Sequence, residues 1–323
     1  INTTSNLSST RFFRLSTIGI GLIAAGLTMS PQVFSATGVN GAVATGVSSC
    51  STNASAGKIH SVALGCDSVA DLSGDPNINF YDRKNPDNQP IDTTTKFNST
   101  AIGTGAKAKE AGTSIGMHAS SRNLGIALGI QAKSDNVAAL AIGPAALAKG
   151  NTSLALGRQS AATEDFAQAI GNVASATAMG SLAMGHSARA EGYRSIAIGS
   201  ADIKGADPTG TQSGVVYQTN QQTLAEGEDS IALGSGAESL REDSVALGSY
   251  STANVAGGIT GYDPTGNNNA AITATKSTTG AVSVGRAASN EKAAVRRQIV
   301  NVAAGTNNSD AVNVSQLKGL AGL

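Results

Sequence analysis

The chain has 323 residues, of which 39 are glycine, 3% are aromatic and none is tryptophan. That is too little aromatic bulk for an ordinary core in a globular domain of this length, and it favours thin structural units. The 22 basic and 22 acidic residues are scattered without a basic patch and give a net charge of zero. Because phosphate binding requires a basic surplus, this balance argues against nucleic acid as a partner.

Residues 1–36 are predicted to form a secretion signal. Arg11 and Arg14 precede an apolar run from Leu15 to Met29, and small residues follow it. That order is typical of a cleaved signal peptide. Polar residues and glycines interrupt the run, which is shorter than the roughly 20 apolar residues that span a bilayer. A transmembrane anchor is therefore the less favoured interpretation, and the rest of the chain is expected to be exported.

Residues 37–98 are predicted to be an N-terminal head segment with an excursion loop rich in turn-forming residues. This segment holds both cysteines, Cys50 and Cys66, which are 16 residues apart. Export favours a disulfide, and the separation is close to the repeat period that follows, so adjacent repeats could bring the two together. An intrachain bridge is expected, with two free thiols or a bridge between chains as the alternatives.

The dominant feature of the chain is a recurring three-residue pattern: a small residue, a large aliphatic residue and glycine. From Gly129 to Gly199 the step is 14 residues every time. A fixed period indicates one structural unit copied along an axis, which is a solenoid. The pattern ends at Gly65, Gly103, Gly116, Gly129, Gly143, Gly157, Gly171, Gly185, Gly199, Gly234, Gly248 and Gly285.

Each repeat is predicted to contain two short strands and two turns. Alternation of large, small and large residues has the period of a strand, with one large face and one small face. Glycine then supplies a turn because it tolerates positive φ. In most repeats an alanine three residues later, such as Ala146 or Ala174, indicates the second strand. The sequence therefore predicts an all-β solenoid with 14-residue coils.

The large aliphatic face is predicted to lie between subunits. A coil of two short strands has a narrow interior, which small side chains fit, so the large face needs another partner. Further copies of the chain are the simplest candidate. The alternative places the aliphatic residues inside each coil. The expected interface residues are Ile102, Ile115, Leu128, Ile142, Leu156, Ile170, Met184, Ile198, Leu233 and Leu247.

The head repeats are predicted to occupy residues 99–285, with insertions near 202–225 and 252–280. Both insertions contain the sequence Asp-Pro-Thr-Gly. Insertions in solenoids form loops that often carry binding, although tolerated decoration is the alternative. Tyrosines on the excursions are the candidates for ligand specificity, namely Tyr81, Tyr217 and Tyr262.

No pattern for catalysis, a cofactor or a metal is found. His60, His118 and His186 lie in or beside predicted turns, and none is spaced with cysteines or carboxylates as metal ligands are. A nucleophile elbow and a complete dinucleotide-binding motif are both missing. We therefore expect no enzyme activity, cofactor, metal or small-molecule substrate, and the ligand-binding residues stay unassigned.

Beyond Gly285 the pattern changes, and residues 286–316 are predicted to form a separate neck. Asp310 is a candidate helix N-cap. Val314, Leu317 and Ala321 are spaced three and then four residues apart, as in a coiled-coil seam. Residues 317–323 are therefore interpreted as the start of a coiled-coil stalk.

The repeats SIAIG at 195–199, SIALG at 230–234 and SVALG at 244–248 resemble the head repeats of trimeric autotransporter adhesins, the YadA-like family. Residues 295–317 are similar to the neck of that family. The matching neck residues are Arg297, Gln298, Ile299, Asn301, Val302, Ala303, Gly305, Asp310, Ala311, Val312, Asn313, Val314, Gln316 and Leu317.

This resemblance implies a homotrimer with a left-handed parallel β-roll head and a neck that narrows onto a coiled-coil stalk. It also implies a place on the cell surface of a Gram-negative bacterium, held in the outer membrane by a C-terminal anchor that is absent from this chain. The implied function is adhesion to host cell-surface ligands or matrix proteins such as collagen, fibronectin or laminin. Which ligand binds is left open.

Two other functions are weighed against adhesion. Hexapeptide-repeat acyltransferases are also trimers built of small-residue repeats, but their coils are near 18 residues and they use a catalytic histidine in the cytoplasm. The 14-residue period, the signal segment and the neck all disfavour that class. A structural spacer that binds nothing is the stronger alternative, and binding data are needed to distinguish it from an adhesin.

Overall fold

A computed structural model of the chain describes residues 43–45, 54–56, 61–71, 98–201, 222–267 and 269–322. Over these ranges the chain forms a parallel β-solenoid with two strands in each coil. Within them, helix is limited to α1 (Ala270–Ala274) and α2 (Val314–Ala321), and no helix there has the length and apolar content needed to cross a membrane. The predictions for the signal at 1–36, Cys50, His60, Tyr81 and Tyr217 lie outside the described residues.

Two parallel sheets run along the solenoid, one on each side of every coil. The first, called the aliphatic sheet here, has 13 described strands, and the second sheet has 12. The aliphatic sheet consists of β1 (Val43–Thr45), β3 (Val62–Leu64), β5 (Thr100–Ile102), β7 (Thr113–Ile115), β9 (Ile126–Leu128), β11 (Leu140–Ile142), β13 (Leu154–Leu156), β15 (Gln168–Ile170), β17 (Leu182–Met184), β19 (Ile196–Ile198), β21 (Ile231–Leu233), β23 (Val245–Leu247) and β25 (Val282–Ser283). The second sheet consists of β2 (Ser55–Ala56), β4 (Val69–Asp71), β6 (Lys107–Lys109), β8 (Ser120–Ser121), β10 (Lys133–Ser134), β12 (Leu147–Ala148), β14 (Ala161–Ala162), β16 (Ser175–Ala176), β18 (Arg189–Ala190), β20 (Leu224–Ala225), β22 (Glu238–Ser239) and β24 (Thr252–Ala253).

Adjacent coils pair in strict register. Ala141 is opposite Ala155 in the aliphatic sheet, and Ala148 is opposite Ala162 in the second sheet. Equivalent positions therefore stack into columns along the solenoid axis, with neighbours about 4.8 Å apart. Each column brings together side chains that are one repeat apart in the sequence, so the outer faces of the solenoid consist of such columns.

The core is a single layer of small side chains between the two sheets. In one coil these are Ser153, Ala155, Ser160 and Ala162, each no more than 1% exposed. The Ser153 hydroxyl donates to the Gly150 carbonyl at 2.7 Å, so this buried hydroxyl is satisfied within its own turn. The prediction that the small face lies inside is confirmed, and the alternative with aliphatic residues inside each coil is wrong.

The repeat glycine is required where one coil passes over the next. Gly143 has a φ of +127°, and a Cβ atom there would lie 2.6 Å from the Gly157 carbonyl oxygen of the following coil. The Gly143 amide donates to the Leu128 carbonyl of the preceding coil at 2.8 Å. A side chain would therefore be both strained and in collision with backbone, which explains why glycine occupies this position.

The insertions leave the stacking of the coils intact. β19 pairs directly with β21 although residues 202–221 separate them in the chain. β20 and β24 belong to coils, so the predicted insertion ranges of 202–225 and 252–280 each contain a strand of the second sheet. In the second insertion, Asn269 caps α1 by accepting the Ala271 amide at 2.9 Å.

The neck ends in α2, whose N-cap is Asn313 rather than the predicted Asp310. The Asn313 side chain accepts from the Gln316 amide at 3.0 Å, and the Gln316 side chain accepts from the Asn313 amide at 3.2 Å. This reciprocal pair is a capping box. Asp310 instead accepts from the amides of Thr306 and Asn307, both at 2.9 Å, and so closes the turn before the helix.

Candidate interaction surfaces

The outer face of the aliphatic sheet is an exposed apolar stripe. The ten residues predicted as interface all occupy the third position of their strands, which points away from the core. Their exposed fractions reach 40% at Ile115 and 44% at Leu247. Because ten successive strands contribute, the aliphatic stripe is roughly 45 Å long.

The first strand position adds a second, mainly apolar column beside this stripe, with Leu140, Leu154 and Leu182 among its members and Gln168 between the last two. The interior cannot take these side chains because the small-residue core is already closed. Contiguous apolar surface of this extent is typical of interfaces with other molecules. The geometry brings all ten predicted residues onto one face, and no part of the described chain covers that face.

The coils carry their charges unevenly along the solenoid axis. Between residues 98 and 150 there are five basic and two acidic residues, a net charge of +3. Between 222 and 253 there are six acidic residues and one basic residue, a net charge of −5. The zero net charge of the chain thus conceals a basic segment at 98–150 and an acidic segment at 222–253.

Residues at the turns form ladders between coils. Asp165 accepts from the Asn151 backbone amide at 2.8 Å and from the Asn151 side-chain amide at 3.0 Å. These bonds, led by the side-chain one, hold the pKa of Asp165 below its ordinary value because they stabilise the carboxylate. Arg194 pairs with Asp229 in the next coil across the 202–221 insertion. Such contacts recur because the register places turn residues of successive coils side by side.

The neck is tied to the last coils by two basic side chains. The Arg297 guanidinium donates to the Val284 carbonyl at 2.7 Å and to the Ser251 hydroxyl at 3.0 Å. Lys292 forms an ion pair with Glu238 on the second sheet. The end of the head and the neck therefore form a continuous packed structure.

Within the neck, Gln316 and Asn313 connect α2 to the loop before it. The Gln316 side-chain amide donates to the Gly305 carbonyl at 2.9 Å, and its oxygen accepts the Gly305 amide at 3.1 Å. The Asn313 amide group donates to the Val302 carbonyl at 3.2 Å. These bonds explain why an amide side chain is needed at both positions.

Several apolar members of the neck motif are exposed to solvent. Ile299 is 71% exposed, and Val312 and Leu317 are exposed as well. As with the aliphatic stripe, no part of the described chain covers them. The neck motif therefore contains polar residues that make hydrogen bonds within the chain and apolar residues that are exposed to solvent.

The predicted histidines and the predicted disulfide remain to be placed in the structure. His118 lies in a turn with a φ of +56°, and a ring nitrogen of His186 is 3.2 Å from the Asn172 carbonyl. Among the described residues there is no cluster of side chains that could hold a metal ion. Cys66 is held in a disulfide, whereas Cys50 lies outside the described residues, so the Cys50–Cys66 pairing stays a prediction.

The described chain is a parallel β-solenoid with an exposed aliphatic sheet, continued by a neck and a short helix. Two family models match these parts of the chain. The YadA head domain repeat matches residues 95–114, 148–174, 176–201 and 225–251. The coiled stalk of trimeric autotransporter adhesin matches residues 298–322.

A relative in Bartonella henselae, the autotransporter adhesin BadA, is 49% identical over 86 residues. The matched segment covers 26% of this chain and 3% of the Bartonella protein. Taken with the family models, this similarity supports the head and neck of a YadA-like trimeric autotransporter adhesin.

Proposed function

We propose that this chain is the adhesive head of a homotrimeric surface fibre on a Gram-negative bacterium. The observation that carries the proposal is the aliphatic stripe, which no part of the described chain covers. Fully burying one aliphatic side chain is worth about 1.5–3 kcal/mol, so a stripe of ten strands is a strong driving force for association. Three copies of this face packed around one axis bury it symmetrically.

The neck supports the same assembly. Its apolar residues and those of α2 continue the exposed apolar surface of the head toward the stalk match at 298–322. In the proposed trimer, Ile299, Val312 and Leu317 meet their equivalents at the axis, while Arg297 and Gln316 keep each chain folded. Surface display through an outer-membrane anchor is part of the proposal and rests on the family.

Adhesion in this proposal depends on repetition. The described turns and strand faces carry few aromatic side chains, which dominate tight protein interfaces. A modest affinity at each site is therefore expected. A trimer offers every coil three times, and linked sites gain about 10²–10⁴-fold in avidity over single contacts.

The proposed ligands are matrix proteins such as collagen, fibronectin or laminin, or a cell-surface ligand. The second insertion is one candidate for the contact because Tyr262 is 89% exposed on it. Asp263 stabilises that loop by accepting from the Asn269 amide and the Thr265 amide, both at 2.8 Å. An ordered loop that displays an exposed aromatic side chain fits a specificity element.

The test is attachment of the purified chain to surfaces coated with each matrix protein. A variant in which short Gly-Ser linkers replace 202–221 and 256–279 keeps β20 and β24, so the coils stay complete. Loss of attachment in this variant alone would assign specificity to the insertions, and unchanged attachment would assign it to the coil faces. If the intact chain attaches to no host ligand, the spacer function is correct and the adhesin proposal is wrong.

A further inference from the structure

We infer that the second sheet carries a binding strip for a sulfated glycosaminoglycan chain, in the basic segment at 98–150. This inference deepens the proposed function by naming a class of ligand, and it rests on that function for the outward position of the second sheet. The strip consists of five exposed side chains: Lys107, Lys109, Arg122, Lys133 and Lys149.

The register of the second sheet builds this strip from residues that are far apart in sequence. Lys107 stacks on Ser120, and Ser120 stacks on Lys133, so the two lysines are two strands apart in one column, about 9.6 Å. The neighbouring column holds Lys109, Arg122, Asp135 and Lys149, as the register and the backbone hydrogen bonds from Arg122 to Ser134, Asp135 to Ala148 and Lys149 to Ala162 show. One acidic side chain, Asp135, therefore lies between Arg122 and Lys149. The strip therefore crosses four successive coils and is about 14 Å long.

Few acidic groups oppose the strip. Asp135 is ion-paired with Lys133 at 2.8 Å and is only 20% exposed, whereas Lys133 is 54% exposed. Glu110 is half-buried in the turn after β6, and Asp71 is the register neighbour of Lys109 at the N-terminal end. The outward charges of the four coils thus remain predominantly positive, in contrast to the acidic coils at 222–253.

The shape of the strip selects one kind of polyanion. Strands of two or three residues make a face only about 7–10 Å wide, which suits a single extended chain lying along the axis. Single-stranded nucleic acids are held by basic grooves lined with aromatic side chains on which the bases stack. No Phe, Tyr or Trp occurs between 98 and 150, so the strip offers charge without stacking. Binding of a linear sulfated polysaccharide requires only positive charge on the protein, without aromatic stacking.

The experiment measures binding of the full chain to heparin and to fully desulfated heparin, with sedimentation of the same sample. Expected is binding to heparin alone, with an affinity that falls steeply between about 50 and 200 mM salt as counter-ions are released. The variant Lys107→Gln, Lys109→Gln, Lys149→Gln should bind at least about tenfold more weakly, on the order of 1.4 kcal/mol. Circular dichroism checks that its fold is unchanged.

The matched control removes three positive charges elsewhere: Arg158→Gln, Lys276→Gln, Lys318→Gln. It should bind heparin as the unaltered chain does. Equal losses in both variants, equal binding to desulfated heparin, or tighter binding to single-stranded DNA than to heparin would each overturn the inference. If the chain is a trimer that does not bind heparin, only this inference is wrong. If it is a monomer that binds heparin through the three lysines, the inference is supported and the proposed trimer is wrong. A monomer that does not bind heparin contradicts both.

Discussion

Single residues hold this fold at positions where the backbone of one coil touches the next. The turn residues on either side of each strand often have positive φ, including Ala145 at +55° and Thr152 at +51°. Side chains tolerate this left-handed region at a modest cost. Most of the repeat glycines, from Gly65 to Gly234, lie farther out, at φ of +119° to +156°, where other residues are strained, and they also lack room for a Cβ atom.

Gly143→Ala should therefore destabilise the head by at least about 2 kcal/mol, because backbone strain adds to a collision with the next coil. Gly266→Ala is the matched control. Gly266 also has a positive φ, +69°, but no atom lies within 4 Å of the site of its Cβ. It should cost about 1 kcal/mol. Thermal unfolding of both variants measures the difference, and equal losses would show that crowding between coils contributes nothing.

At the scale of elements, the sequence predicted what is periodic and local. Alternation around Ala141 and the glycine after it identified the strands of the aliphatic sheet, because strand alternation and turn glycine both act within a few residues. The sequence places β20 and β24 in the predicted insertions because a two-residue strand such as Leu224–Ala225 has too little pattern to be distinguished from a loop. Their place is set by pairing with the neighbouring coil, which is not local information.

The N-cap of α2 shows a different limit. Asp310 and Asn313 are both good capping residues, and they are three positions apart. The sequence signal that distinguishes them is Gln316, which follows Asn313 at the capping-box spacing. The residue at the same spacing after Asp310 is Asn313 itself, which does not complete a capping box.

The basic strip cannot be recognised in the sequence because its members are far apart along the chain. Lys107 and Lys133 are 26 residues apart, and only the register of the coils brings them onto one face.

Asp310 should make the neck turn sensitive to acid. The amides of Asn307 and, next, Thr306 lower its pKa from the ordinary value of 3.8 because they stabilise the carboxylate. The carboxylate therefore stabilises the folded turn above that value, and the stabilisation is lost as the pH falls through the lowered pKa. The measurement is the amide chemical shift of Thr306 and Asn307 in a titration from about pH 5 to pH 2.

In this titration, Asp310→Asn should abolish the response, because asparagine keeps an acceptor oxygen but does not titrate. The control Asp263→Asn removes a carboxylate whose pKa is lowered mainly by the Asn269 amide, in the second insertion. It should leave the response of the neck amides unchanged. A neck response that survives Asp310→Asn would assign the acid sensitivity to another group.

The whole molecule is a two-faced rod, and its faces explain how one short repeat supports both assembly and recognition. The coils present mainly aliphatic side chains on the outer face of one sheet and a mixture of charged, polar and small or aliphatic side chains on the other, since the core accepts only small residues. Stacking turns the first set into the aliphatic stripe and the second into a surface whose charge changes along the axis. In the proposed trimer the stripe is buried and the second sheet is displayed three times.

Replacing Ile142 and Leu156 with aspartate tests this arrangement most directly. The two side chains are register neighbours on the aliphatic stripe, so the trimer would have to bury six carboxylates at its axis. Burying unpaired carboxylates costs far more free energy than burying the aliphatic side chains gains, so the protein should sediment as a monomer or lose its fold.

The matched control is Leu147→Asp with Ala161→Asp, two register neighbours on the outer face of the second sheet. That variant should remain trimeric with the thermal stability of the unaltered chain. A stable trimer after Ile142→Asp and Leu156→Asp would exclude the aliphatic stripe as the subunit interface, whereas dissociation of the control as well would assign the effect to added charge rather than to the face that carries it.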